Sequence, residues 1–105
     1  PPMNIIETEH DGESHFINHN GEKIDFRQDH KKDLVFGLRP EDIQVSYKGI
    51  KCHVNFLDYQ GSETIINTTL GTHEINIKTD SKKTDDLSQE IYIKWNNKDI
   101  KVFEK

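Results

Sequence analysis

The sequence predicts an all-β fold of short antiparallel strands, arranged as a small barrel or sandwich. Apolar and polar residues alternate along several segments, most clearly between residues 50 and 57. Turn-forming residues separate these segments at intervals of about 8–12 residues, a spacing typical of all-β domains. The apolar residues nowhere repeat with the period of about 3.6 that marks an amphipathic helix. Together these observations favour antiparallel strands with one buried and one exposed face.

The N-terminal third predicts one short strand, one hairpin and one longer strand. Residues 3–7 form a short extended segment. Residues 14–17 and 22–26 flank Asn20-Gly21, a pair that tolerates the positive φ angles of a tight hairpin turn. A polar connection then leads to an apolar strand at residues 34–38.

The strand at residues 34–38 must end near Pro40, because proline fixes φ and has no N–H for a sheet ladder. Proline also pushes the preceding residue, Arg39, toward extended geometry. Glu41 and Asp42 are turn-forming acidic residues that precede the next strand. The local sequence therefore predicts a strand, a tight turn or single helical turn, and a second strand.

The longest predicted strand covers residues 50–57 and follows a shorter strand at residues 43–47. Its alternation places Cys52, Val54 and Phe56 on one face. The adjacent His53 falls on the opposite face, so Cys52 is expected to be a small buried side chain rather than a nucleophile.

Gly61 interrupts the next segment and predicts a bulge or a sharp bend, as at the corner of a barrel. A strand at residues 63–70 follows, and a hairpin turn then leads to a strand at residues 74–78. Residues 80–88 are charged and predict a loop.

The last two strands are predicted at residues 91–95 and 100–103, with a turn between them. In the first of these strands, Ile91, Ile93 and Trp95 share one face, and Tyr92 lies on the opposite face.

The composition predicts a single domain and argues against nucleic acid as a partner. The chain has 105 residues, of which 31% are hydrophobic and 31% charged. With so few apolar residues, part of the core could be completed by a partner surface. The 14 basic residues are scattered and are outnumbered by 19 acidic residues, whereas phosphate binding needs clustered positive charge. No apolar run approaches the ~20 residues that cross a bilayer.

The motifs of nucleotide hydrolysis are absent from this sequence. No G-x-x-x-x-G-K-[ST] loop is present, and the string Asp86-Leu87-Ser88-Gln89 lacks the paired glycines of an ABC signature. We therefore expect no catalytic residue and no cofactor site in this chain.

The six histidines raise the question of a metal site. His10, His15 and His19 have the spacing H-x4-H-x3-H, but they lie in a segment that predicts loop and hairpin, and no cysteine accompanies them. We interpret them as surface histidines and expect no metal site.

The string Gly37-Leu38-Arg39-Pro40-Glu41-Asp42 resembles the G-[IL]-R-P-E signature in the C-terminal accessory domain, often called TOBE, of ABC-importer ATPase subunits. Three further segments resemble this family in the same order. Residues 1–4 resemble the segment that leads from the ATPase core into the domain, residues 57–64 resemble its E-x-L-G-x-E-[TS] element, and residues 100–103 resemble its closing strand. The motif residues, to which we assign structural or interface roles, are Leu38, Arg39, Pro40, Glu41, Asp42, Gly61, Glu63 and Phe103.

The resemblance implies an OB-like small barrel, and it implies that this chain is a C-terminal fragment of a longer ATP-binding subunit. That subunit would power solute import, in the sugar or glycerol-3-phosphate branch, with ATP and Mg bound in an N-terminal ATPase domain. The implied partners are that ATPase domain, a second copy in a homodimer, membrane permease subunits and a regulatory protein. The implied location is cytoplasmic, at the inner face of the cell membrane. For Arg39 the alternatives are a salt bridge to Glu41, Asp42 or another strand, and support of the contact with the ATPase core.

Two other functions remain open from the sequence. A free-standing small barrel could bind an oxyanion such as molybdate, with Gly61-Ser62 and Gly71-Thr72 as candidate backbone donors. An OB-type module could bind nucleic acid by stacking bases on Tyr59, Tyr92 and Trp95, although the net charge of −5 opposes this.

Overall fold

The structure, a computed structural model, describes residues 2–105. This part of the chain forms eleven β-strands and three 3₁₀ turns, and the strands form three antiparallel sheets. The strands are β1 (Asn4–Ile6), β2 (Glu9–His10), β3 (Ser14–His19), β4 (Glu22–Gln28), β5 (Leu34–Leu38), β6 (Ile43–Ser46), β7 (Ile50–Gln60), β8 (Glu63–Leu70), β9 (His73–Asp80), β10 (Glu90–Trp95) and β11 (Lys101–Glu104).

The largest sheet has five strands in the order β6-β10-β7-β8-β9. Its edge strand β9 packs against β6, the opposite edge, and against the 3₁₀ turn Pro40–Asp42. The sheet therefore curls toward closure as an OB-like barrel of short antiparallel strands, which confirms the predicted fold class.

A second sheet has the order β1-β5-β11. Its central strand places Gly37 between Ile5 on one side and Lys101 on the other. The sheet thus joins two segments that are far apart in the sequence to the strand that precedes the proline turn.

The third sheet, β2-β3-β4, contains the predicted Asn-Gly hairpin. Asn20 and Gly21 have φ angles of 52° and 78°, which confirms the turn and explains why these residue types are needed there. The hairpin packs on the barrel through aromatic contacts. The ring centroid of Phe26 lies 5.7 Å from that of Phe36 in β5 and 5.4 Å from that of Trp95 in β10.

The hydrophobic core draws residues from all three sheets. Its fully buried members include Ile6, Phe36, Leu38, Ile66, Leu70, Ile77 and Ile93. Cys52 is also buried in this core, as predicted, and His53 is exposed.

The prediction that Phe56 shares a face with Cys52 and Val54 is wrong. The pairing of β7 with β8 shifts between Val54 and Phe56, because a bulge inserts one extra residue. As a result Leu57 faces buried Ile66, whereas Phe56 is 53% exposed.

Gly61 interrupts the strand with a sharp turn, as one of the two predicted alternatives requires, and does not form a bulge. It lies in the tight turn between β7 and β8 with φ 77°, and β7 extends to Gln60. The predicted loop at residues 80–88 begins with the 3₁₀ turn Ser81–Thr84, in which Asp80 accepts a hydrogen bond from the Lys82 N–H. Between residues 2 and 105 there is no helix with the length and apolar character needed to cross a membrane.

Candidate interaction surface

The motif at the end of β5 has a buried half and an exposed half. Leu38 and Pro40 are buried and complete the core where the strand ends. Arg39 has the expected extended geometry, with φ −73° and ψ 144°, and its carbonyl accepts a 3.0 Å hydrogen bond from the Asp42 N–H. The turn predicted from Pro40 is therefore a single 3₁₀ turn. Its shape is set by the proline and by this backbone hydrogen bond.

The charged residues of the motif point outward. Arg39 and Glu41 are exposed and Asp42 is partly exposed. Across residues 2–105, no carboxylate lies within 4.0 Å of the Arg39 guanidinium, so the salt bridge that was one of the two alternatives for Arg39 is not formed. This guanidinium is free to contact another molecule.

Beside the motif lies a half-exposed apolar surface, the outer face of the β1-β5-β11 sheet. We call it the β5 outer face and define it by Met3, Ile5, Val35, Gly37 and Phe103. Ile5 pairs with Gly37 and Phe103 pairs with Val35, so these side chains project from the same side of the sheet. Ile5 is 52% exposed and Phe103 is 43% exposed.

Gly37 lets two side chains of this face approach the backbone. A Cβ at this position would lie 2.2 Å from Met3 Sδ and 3.1 Å from Phe103 Cε2. Glycine within an apolar strand marks such close approaches, so Gly37 is the one signal in the sequence that could have located this face. Sequence reasoning identified Phe103 but missed Met3, Ile5 and Val35.

Ion pairs lie at the ends of the same strands. Lys105 Nζ lies 3.6 Å from Glu7 Oε2, and Lys31 pairs with Glu104. Lys101 pairs with Gly37 and therefore also projects from this face, beside the apolar side chains. An apolar patch accompanied by charged residues is the general anatomy of a protein–protein contact. The β5 outer face is therefore the candidate interaction surface.

The remaining motif residues, Gly61 and Glu63, lie in a different sheet. The Gly61 carbonyl accepts a 2.7 Å hydrogen bond from the Ser81 hydroxyl, and Glu63 lies 3.5 Å from Lys78 Nζ. These contacts hold the β7–β8 turn against the 3₁₀ turn at Ser81. Gly61 and Glu63 therefore make contacts within their own sheet and do not lie on the β5 outer face. Of the resembling N-terminal segment, Pro1 lies outside the described residues and Asn4 begins β1.

The interpretation of the histidines as surface residues is wrong for His15 and His19, which are 1% and 9% exposed. His19 Nδ1 accepts a 2.9 Å hydrogen bond from the Gly71 N–H, so its proton is on Nε2, which donates to the Lys51 carbonyl at 2.6 Å. His15 Nε2 similarly lies 2.7 Å from the Lys31 carbonyl. These hydrogen bonds give the buried rings the polar partners that buried side-chain nitrogens require.

Cys52 lies near one of these rings without forming a catalytic pair. Its Sγ is 3.7 Å from His19 Nε2, the nitrogen that carries the proton. Burial raises the pKa of the Cys52 thiol to about 11, so the thiol is protonated at neutral pH. Among the described residues, no group of three or more His, Cys, Asp or Glu side chains is arranged to hold a metal ion.

The two other functions left open by the sequence gain no support from the geometry. Tyr92 is exposed on one face of β10, whereas Trp95 packs on Phe26 from the other face, so they do not form one stacking platform. The Gly71 N–H, a candidate anion donor, is already bonded to His19.

The sequence was compared with known proteins, and the curated proteins named below that it resembles are all import ATP-binding proteins. No family model matches the chain. It is similar to the sn-glycerol-3-phosphate import ATP-binding proteins UgpC of Bordetella parapertussis, Bordetella bronchiseptica and Bordetella pertussis. Each is 24% identical in an alignment 89 residues long, and the alignment covers 79% of this chain and 25% of the relative. The chain spans about a quarter of the length of the curated relatives it matches.

Proposed function

We propose that this chain is the C-terminal, TOBE-type accessory domain of an ATP-binding subunit of an ABC importer. The main support is the similarity to three import ATP-binding proteins over 79% of the chain. The all-β OB-like barrel and the buried Leu38 and Pro40 of the proline turn agree with this assignment. In this proposal the chain itself carries no catalytic group.

The rest of the subunit follows from the same proposal. An ATPase domain preceding residue 1 binds ATP and Mg, pairs with membrane permease subunits and works at the cytoplasmic face of the membrane. The solute belongs to the glycerol-3-phosphate class that the names of the relatives give, or to the sugar class that the resemblance implies. The accessory domain regulates and stabilises a homodimer, because accessory contacts keep two ATPase domains at high effective concentration while they open and close.

We assign the contact with the ATPase domain to the β5 outer face. Met3 and Ile5 lie on this face, so a chain segment that enters the domain at residue 2 passes beside it. Ile5 and Phe103 expose apolar surface there that an adjoining domain would cover. Arg39 lies at the end of the central strand, with its guanidinium unpaired among residues 2–105.

The first test is to read the native coding sequence upstream of Pro1. The proposal requires a P-loop, an ABC signature and a Walker B strand in that reading frame. An initiator at Met3 with nothing upstream would overturn the proposal.

The second test uses the intact subunit with charges placed on the face. Ile5→Lys and Phe103→Lys should accelerate proteolysis between the two domains and weaken ATP-dependent dimerisation. Tyr47→Lys is the matched control, because Tyr47 is fully exposed in the turn between β6 and β7, away from the β1-β5-β11 sheet. If both face variants are cleaved between the two domains at the wild-type rate, the ATPase domain contacts another surface.

A further inference from the structure

We propose that the β8–β9 turn forms a pH-sensitive contact, and that mild acid separates it from the β3–β4 hairpin and from the connection between β1 and β2. Two hydrogen bonds hold the turn to these segments. The Gly71 N–H donates to His19 Nδ1 at 2.9 Å, and the Glu7 N–H donates to His73 Nε2 at 3.1 Å. We call these two hydrogen bonds the histidine contacts. The proposal goes beyond the proposed function and does not depend on it.

Each histidine contact requires a neutral imidazole ring. A neutral ring has one N–H group and one nitrogen that accepts, whereas a protonated ring has two N–H groups and no acceptor. In both contacts a main-chain N–H uses that single acceptor. Histidine is the side chain that ordinarily changes its charge between pH 5 and pH 8. Proton uptake by either ring therefore breaks its contact with the main chain.

The His73 ring has a further reason to leave its place when it is protonated. Because Nε2 accepts from Glu7, the proton of the neutral ring is on Nδ1. Nδ1 is buried and has no hydrogen-bond partner among residues 2–105. A protonated ring in this position would leave both of its N–H groups without acceptors, which is costly in a buried site. Protonation therefore favours a position in which the ring reaches water.

A depression of about 300 Å³ lies beside this ring and is lined by residues of the β1–β2 connection, β2, β3 and the β8–β9 turn, His73 among them. Glu7 and Glu9 also line it, and their carboxylates attract a positively charged ring. The other charged groups adjoining His73 are Glu74, the next residue of β9, and Lys105, which pairs with Glu7. Carboxylates outnumber the ammonium group, so the surroundings stabilise a proton on His73 once its contact is broken.

The His19 ring is nearly buried, and a charge on it has no partner in place. The ring is 9% exposed, and its Nε2–H donates to the Lys51 carbonyl at 2.6 Å. The Cys52 thiol, 3.7 Å from Nε2, offers no negative charge. The charged side chains nearby belong to Glu22, the cross-strand partner on β4, and to Lys51, and both residues are exposed, so water screens their charges. A protonated His19 is therefore unfavourable where it lies.

Breaking the histidine contacts loosens one end of the hairpin without detaching it from the barrel. The aromatic contacts of Phe26 with Phe36 and Trp95 involve no titratable group. The Asn20 amide also keeps its 3.0 Å hydrogen bond to the Lys51 carbonyl in acid. The change is therefore local, and the core around Phe36 stays folded.

Amide hydrogen exchange of the 105-residue chain, followed by NMR at about pH 7.5 and about pH 5.5, tests the proposal. Both values lie above the ordinary pKa of Asp and Glu side chains, so the carboxylates stay charged. Each exchange rate is divided by the intrinsic rate at the same pH, which leaves the protection due to structure.

The protection of the Gly71 and Glu7 amides should fall by about tenfold or more at the lower pH. The amide of Phe36, a fully buried residue of β5, should keep its protection. Constant protection of Gly71 and Glu7 would overturn the proposal. An equal fall at Phe36 would also overturn it, because the whole chain would then be unfolding in acid.

Variants assign the change to the two rings. His73→Gln and His19→Asn place an amide oxygen near the accepting ring nitrogen, and this oxygen accepts at both pH values. The pH dependence should disappear at Glu7 in His73→Gln and at Gly71 in His19→Asn. His53→Gln is the matched control, because His53 is exposed and its ring makes no hydrogen bond among residues 2–105. Wild-type pH dependence in both ring variants, or its loss in His53→Gln, would overturn the proposal.

Discussion

The Gly71 N–H donates a 2.9 Å hydrogen bond to His19 Nδ1, although 52 positions separate the two residues in the sequence. The other ring nitrogen of His19 donates to the Lys51 carbonyl at 2.6 Å. One nearly buried imidazole therefore connects the β3–β4 hairpin to β7 and to the β8–β9 turn. Without the ring the Gly71 N–H would lack this partner, whereas the Lys51 carbonyl would keep the hydrogen bond from the Asn20 side-chain amide at 3.0 Å.

His19→Ala should lower the free energy of unfolding by about 1–3 kcal/mol, because it removes a nearly buried ring and leaves the Gly71 N–H without its partner. Urea denaturation followed by circular dichroism would measure the change. The control is His53→Ala, in which an exposed histidine on the outer side of β7 is removed and the effect should stay within about 0.5 kcal/mol. Equal losses in the two variants would contradict the role given to His19.

Gly37→Ala should destabilise the protein by about 1–3 kcal/mol, because the new methyl group would displace Met3 Sδ and crowd Phe103. Met3 can move more easily than the backbone, so truncating it should relieve part of the strain. The check is a double-mutant cycle with Met3→Ala, in which the Gly37→Ala cost becomes smaller. Strictly additive effects would mean that Met3 does not occupy the space above Gly37.

Cys52 should react slowly with thiol reagents in the folded protein. Burial raises its pKa from 9.0 to about 11, so the thiolate fraction near pH 8 falls by about a hundredfold before steric protection is counted. The reaction with Ellman's reagent should be fast in urea and slow in buffer. A Cys52→Ala, Ser62→Cys variant, with an exposed thiol at the β7–β8 turn, should react quickly in both conditions.

The raised pKa of the Cys52 thiol also predicts how the stability of the protein changes at alkaline pH. The folded state holds the Cys52 proton more tightly than the unfolded state does. Its contribution to stability is therefore fully present below the ordinary thiol pKa of 9.0 and is lost as the pH rises toward about 11. Cys52→Ala should flatten the fall in stability over this interval. If stability falls equally steeply at alkaline pH in Cys52→Ala and in the wild type, the thiol does not contribute to this pH dependence.

Asp11 should contribute to acid sensitivity. The hydrogen bond from Lys23 Nζ, at 2.7 Å, is the main cause that lowers the pKa of the Asp11 carboxyl below its ordinary value of 3.8. This stabilisation is present above that ordinary value and is lost as the pH falls toward the lowered folded pKa.

Urea midpoints measured from neutral to strongly acidic pH would test this role of Asp11. Asp11→Asn should reduce stability at neutral pH and weaken the dependence of stability on acid pH. Part of that dependence should remain in the variant, because the pKa of the Asp29 carboxyl is also lowered in the folded protein. The exposed Glu22 gives the control Glu22→Gln, which should leave the acid dependence as it is.

Local chemistry explains why most strands could be predicted. The Asn20-Gly21 turn, the end of β5 before Pro40 and the alternation of Ile91, Ile93 and Trp95 each depend on neighbouring residues alone. The extension of β7 to Gln60 could not be read in this way. Tyr59 and Gln60 are both exposed, so this segment shows no alternation between buried and exposed positions.

The misjudged features depend on distant contacts. His15 and His19 are buried where they can donate hydrogen bonds to the carbonyl groups of Lys31 and Lys51, which are 16 and 32 positions away. The bulge before Phe56 is defined only by its pairing with β8. The β5 outer face likewise exists only because β1 and β11 pair with opposite sides of β5, and the candidate site was missed for that reason.

The β1-β5-β11 sheet also sets an order of assembly on the ribosome. Its members are Asn4–Ile6, Leu34–Leu38 and Lys101–Glu104, so β5 is synthesised long before its second partner emerges. Until then, one edge of β5 is open and Phe36 lacks its neighbour Val102. Pairing between strands so distant in the sequence is slow, because a long loop must close first. Until β11 is synthesised, the nascent chain can therefore pair wrongly with other chains through this open edge of β5.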